Sequence, residues 1–116
     1  MFNFSSTLNN CNCDQWKSSK AFEPIFQLNE FKHNGKTVKL FYPYTIIPEK
    51  IGNEYVFIDE KYNIYCCNTS INELLDDIKE NIYMLYKMYV ECDESELNAK
   101  AVDFRKTIEN FIESVE

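Results

Sequence analysis

Glycine is almost missing from this chain: Gly35 and Gly52 are the two in 116 residues, too few and too far apart for the loops with which nucleotide-binding folds cradle phosphates. Histidine occurs once, as His33, so the side chain most often used as a general base has a single candidate. His33 lies in His33-Asn34-Gly35-Lys36, where it reads as a solvated turn residue without a supporting partner. No apolar run approaches the roughly 18 residues that a membrane-crossing helix needs. Met1–Ser6 has neither the basic stretch nor the apolar core of an export signal, so a cytoplasmic location is expected. On that expectation, Asn3-Phe4-Ser5 and Asn68-Thr69-Ser70 are accidental glycosylation triplets.

Acidic residues are scarce in one half only. Residues 1–50 carry six lysines against four acids, whereas residues 51–116 carry six Lys and Arg against fifteen acids. An acidic second half disfavours direct binding to nucleic acid, which depends on neutralising phosphates, and favours a basic protein partner such as a nucleic-acid-binding enzyme. The ordinary alternative is that the acids keep a small domain in solution.

Five cysteines, Cys11, Cys13, Cys66, Cys67 and Cys92, make an odd number, and reduced thiols are expected. Cys11, Cys13, Cys66 and Cys67 supply the four sulfurs of a tetrahedral zinc site, but C-x-C and vicinal cysteines are not the C-x2-C knuckles that structural zinc favours. The expectation is no cofactor and no metal. A cysteine- or zinc-dependent enzyme using Cys66 and Cys67 is the rival reading, because the pair precedes a helix N-terminus that could stabilise a thiolate.

What is present suits one folded unit. With 45% apolar and 16% aromatic residues the chain can offset its ordering entropy, and its length fits a single core. Residues 1–21, rich in Asn and Ser and holding Trp16, show no periodicity and read as an irregular arm; residues 22–116 read as one α+β domain. After apolar residues at Ile25, Phe26, Leu28 and Phe31, Asn34-Gly35 signals a hairpin. The returning strand Thr37–Ile47 places Val38, Leu40, Tyr42, Tyr44 and Ile46 on one face, and Pro43 requires an edge position or a bulge. A turn over Pro48–Asn53, a strand at Tyr55–Ile58, a turn at Asp59–Lys61 and a strand at Tyr62–Cys67 complete an antiparallel meander of about four strands.

Two helices are expected to cover that sheet. Ser70 and Glu73 form a capping box, behind which Ile71, Leu74, Leu75, Ile78, Ile82, Leu85 and Tyr89 recur at spacings of three and four until about Glu91–Asp93. A second helix is expected over Asn98–Val115, with Ala101, Phe104, Ile108, Phe111 and Val115 inward. Asp76, Asp77 and Glu80 share the outer face of the first helix, where a hard cation is one reading and a solvated face the commoner one. Asp93, Glu94 and Glu96 fall in the interhelical loop. Tyr83 and Tyr86 lie off the main stripe, and either pack on the second helix or mark a partner or homodimer surface, where tyrosine is enriched.

The run Tyr55-Val56-Phe57-Ile58-Asp59, then Ile64-Tyr65-Cys66, then Thr69-Ser70-Ile71-Asn72-Glu73-Leu74-Leu75-Asp76-Asp77-Ile78-Lys79-Glu80 resembles the compact domain of HicB-type antitoxins. The resemblance extends over about residues 38–90 and implies a short antiparallel meander leading into a helix. It further implies a protein that blocks a nuclease or other nucleic-acid-directed partner by direct contact. The DNA-binding module that such antitoxins append is not carried over, because residues 93–116 read as one acidic helix, and Tyr62-Asn63 replaces the family's Pro-Gly. Abundant Asn, Ile, Lys and Tyr suggest an AT-rich bacterial or phage source, in which small acidic inhibitors of the anti-CRISPR kind share the same physics. The expected function is therefore noncatalytic inhibition, with Asp76, Asp77, Glu80, Asp93, Glu94 and Glu96 as contacts and Tyr83 or Tyr86 as anchor. A structural or assembly subunit, pairing near Pro43 or through the tyrosine-bearing helix, is a further alternative.

Overall fold

The computed structural model describes residues 24–116, so the expected arm over residues 1–21, with Cys11, Cys13 and Trp16, lies outside the described residues. Strand β1 (Phe26–His33) turns back into β2 (Lys36–Ile46) through Asn34 and Gly35. Both turn residues have positive φ, 51° and 76°, the type I′ geometry whose twist matches the flanking strands. Leu28 pairs with Tyr44 and Glu30 with Lys39, so two steps along β1 oppose five along β2, and Leu40–Pro43 bulge out of the ladder. Pro43, which has no amide hydrogen to donate, sits inside that bulge.

The expected turn at Pro48–Asn53 contains a short strand instead. β3 (Glu49–Ile51) pairs with β4 (Glu54–Asp59) around a two-residue turn in which Gly52 has φ 64°. Three residues are too few for periodicity to reveal a strand; the hydrogen-bonding demand of β4's free edge recruits them. β5 (Ile64–Asn68) pairs on β4's other side, starting two residues later than expected because Asn63 adopts φ 57° and Tyr62 is buried within the turn.

Helix α1 (Ile71–Leu85) starts where the capping pattern places it, and Ser70 Oγ accepts the Glu73 amide at 3.4 Å. The reciprocal bond differs: the Ser70 amide donates to Asn68 Oδ1 at 3.2 Å, leaving the Glu73 side chain exposed. Leu74, Ile78 and Ile82 are fully buried, each contributing about 1.5–3 kcal/mol of transfer free energy. The helix continues as a π-helical turn over Tyr86–Val90, which packs on helix α2 (Ala99–Glu109) with Tyr89 edge-on to Phe104 at 4.8 Å.

The second helix is shorter than its periodicity suggests. It ends at Glu109, and Ile112–Val115 form β6, paired antiparallel with β2 through Val38–Val115 and Leu40–Ile112. The residues expected inward, Phe111 and Val115, do join the core, but from a turn and a strand. β2's second edge had unpaired amides and carbonyls, and satisfying them outweighs two further turns of a helix with a thin apolar stripe.

The fold is thus α+β: an antiparallel meander with two helices, divided into sheets ordered β1-β2-β6 and β3-β4-β5. An aromatic cluster joins the sheets. Phe111 stacks on Tyr62 with ring centres 4.0 Å apart, and Tyr44 meets Phe111 at 5.0 Å and Phe57 at 6.1 Å. Among the described residues, no helix is long and apolar enough to cross a membrane.

Candidate functional site

Strand alternation and helical spacing together build a groove along the outer side of β5. In β5, Cys66 points into the core while Tyr65 and Cys67 point outward, because successive side chains of a strand face opposite ways. On α1, Asp77, Glu80, Asn81 and Met84 stand at i, i+3, i+4 and i+7 and form one flank of the helix. Together with that flank, Tyr65, Cys66 and Cys67 line a groove of about 350 Å³ at the open edge of β5.

Hydrogen bonds fix the walls. Asn81 Nδ2 donates to the Asp77 carbonyl at 2.9 Å and lies 3.4 Å from Cys66 Sγ, tying the helix to the strand. Asn68 Nδ2 donates to Asp77 Oδ2 at 3.1 Å, and Cys67 Sγ donates to Glu54 Oε1 at 3.2 Å. Burial, reinforced by the Asp77 charge, pushes the Cys66 thiol up to about 11. The hydrogen bond to Glu54 also raises the Cys67 thiol. Both shifts favour the protonated thiol, opposite to what an activated nucleophile requires. The two sulfurs also face opposite sides of the sheet and do not converge on a common point. Among the described residues, no three His, Cys, Asp or Glu side chains are grouped to hold a metal ion.

The expected contact residues divide into two patches. Asp77 and Glu80 line the groove, with exposed Asp76 beside them on the same helix. Exposed Asp93, Glu94 and Glu96 lie beyond the helix end, about 15 Å of helix axis past Glu80. Asp93 caps its own turn by accepting the Ser95 amide at 3.1 Å. The ion pairs among the described residues are Lys87–Glu91 and Arg105–Glu109, so none of these six acids has a cationic partner among those residues.

The tyrosine anchors require correction. Tyr83 is only 7% exposed, with its ring 4.9 Å from that of His33, and Tyr86 is half-buried against the core. The same contact corrects His33, which is half-buried against an aromatic ring. Tyr83 lies off the α1 stripe, but the hairpin tip folds over it, a contact that helix periodicity cannot show. The exposed large side chains at the groove are instead Tyr65, at 59%, and Met84, at 41%. Alternation in Tyr62–Cys67 could have placed Tyr65 outward, and the stripe Asp77, Glu80, Asn81 and Met84 is readable as a helix flank. Comparison with protein-family models, with curated proteins and with solved structures gives no match for this chain.

Proposed function

We propose that this chain is a noncatalytic binding protein that inhibits or neutralises a nucleic-acid-directed protein, such as a nuclease, toxin or phage-defence effector, by offering acidic side chains to its basic site. The observation that carries this reading is the flank of α1, where Glu73, Asp76, Asp77 and Glu80 stand within two turns and none has a cationic partner among the described residues. Such a row carries the sign of charge that a phosphate-binding surface is built to meet. Protonated thiols at Cys66 and Cys67 support binding over catalysis. The HicB-type resemblance points to the same class of partner.

The test is binding to a partner captured from the native host, measured against ionic strength. Affinity is expected to fall by about tenfold or more between low and physiological salt, because exposed charge pairs are screened within about 8–10 Å. Reversing the charges with Asp76→Lys, Asp77→Lys and Glu80→Lys should abolish capture while leaving the circular-dichroism spectrum unchanged. Salt-independent affinity, or full capture by the reversed variant, would refute the reading.

A further inference from the structure

Among the described residues β5 is an edge strand: the second sheet is ordered β3-β4-β5, and β5 pairs with β4 alone. Alternate residues of β5 therefore direct their N–H and C=O groups away from β4, toward the groove. Among the described residues, none of Ile64–Asn68 forms a backbone hydrogen bond on that side. Proteins normally blunt such an edge with proline, lysine or a covering element, because an open one templates another strand. Ile64-Tyr65-Cys66-Cys67-Asn68 has no proline and no charge, and α1 stands beside it across an open groove.

We propose that the groove between β5 and α1 takes an extended segment of a basic protein as a fourth strand of the second sheet, with lysine or arginine at alternate positions and apolar residues between them. The proposal rests on the acidic-binder reading and specifies the form of the partner. Side chains of an added strand alternate between the two faces of the sheet. Those on the α1 side meet Asp77 and Glu80, with Met84 beside them to cover the stem of a long cation. Those on the other side extend the outer face, where the cross-strand pair Ile58 and Tyr65 is 56% and 59% exposed. One face of the added strand therefore selects positive charge and the other selects apolar area. A second copy of this chain is disfavoured as occupant, because pairing two β5 edges would bring two Asp77–Glu80 flanks together in a chain of net charge -7.

The probe is a short peptide alternating lysine with valine. It is compared with a peptide of the same composition in two blocks, and with an alternating peptide N-methylated at every second residue to remove backbone donors. The readouts are affinity by calorimetry and amide hydrogen exchange of the full chain. The alternating peptide is expected to bind at least about tenfold more tightly than either comparator and to slow exchange in Tyr65–Cys67. Glu80→Lys, which removes no hydrogen bond within the groove, should cost about tenfold, and so should Asp77→Lys. Equal binding of all three peptides without slowed exchange at β5 would overturn strand addition and leave the acidic-binder reading standing. Absence of binding by any lysine peptide, with capture of a basic partner still dependent on Asp77 and Glu80, would overturn strand addition alone; loss of that dependence as well would overturn both. Slowed exchange at β5 that appears with protein concentration in the absence of peptide would overturn the proposal in favour of self-pairing.

Discussion

The Tyr44 hydroxyl donates to Asp59 Oδ2 at 2.5 Å from a ring that is 6% exposed. Burial, then the neighbouring carboxylate, raises its proton affinity well above that of a free phenol. In the folded chain Tyr44 therefore keeps its proton at a pH where the unfolded chain has released it. This contribution is complete below about pH 10, the unfolded value, and declines as pH rises beyond it. Cys66 acts in the same direction, because its folded value of about 11 lies above that of a free thiol. Denaturant titrations should show the wild type losing stability steadily between about pH 9 and pH 11, with Tyr44→Phe losing less over that interval. At neutral pH the variant should be about 1.5 kcal/mol less stable, the low end for a lost hydrogen bond to a charged group. Asp59 Oδ1 still accepts the Lys61 amide at 3.0 Å, which limits the cost. Parallel alkaline losses in the two proteins would exclude Tyr44 as the source.

Among the elements, the aromatic cluster joins parts of the chain that local pairing leaves separate. β3, β4 and β5 form from neighbouring segments, as do β1 and β2, but Phe111 reaches Tyr62 and Tyr44 from the far end of α2. Phe111→Ala is expected to cost about 3–5 kcal/mol by urea titration, against about 1 kcal/mol for Ser70→Ala at the helix cap. Comparable costs would show that Phe111 does not hold the sheets together. The elements readable from sequence were those with local causes. Asn34-Gly35 needs no distant partner to form its turn, and Ser70 begins a helix whose stripe is continuous from Leu74 to Leu85. β3 and β6 exist because another strand's edge needed pairing, and the segments Glu49–Ile51 and Ile112–Val115 carry too little pattern to announce it.

For the molecule as a whole, the dominant fact is uncompensated negative charge. Net charge is -7, and the ion pairs among the described residues are two helical i,i+4 contacts on partly exposed side chains. Self-repulsion of this kind weakens the folded state at low ionic strength. Thermal unfolding followed in about 0.02 M and about 0.3 M sodium chloride should show Tm rising by a few degrees in the higher salt. A falling Tm would mean that attraction within the chain outweighs repulsion. The acidic half of the candidate site was readable at this scale, because charge and helical spacing are both properties of sequence. Its other half was not: Tyr65 and Asn81 become neighbours of Asp77 and Glu80 only when β5 lies alongside α1, and Tyr83 was withdrawn from the surface by a hairpin tip fifty residues earlier in the chain.

Cys66 and Cys67 are joined by one peptide bond, yet one thiol is enclosed with the core and the other is in solvent. A thiol reagent therefore encounters an internal standard, since both sulfurs share one proteolytic fragment and lie on opposite sides of the sheet. At low conversion, the ratio of label on the two reports how accessible the Cys66 side of the sheet is, in the same molecules whose groove is being probed.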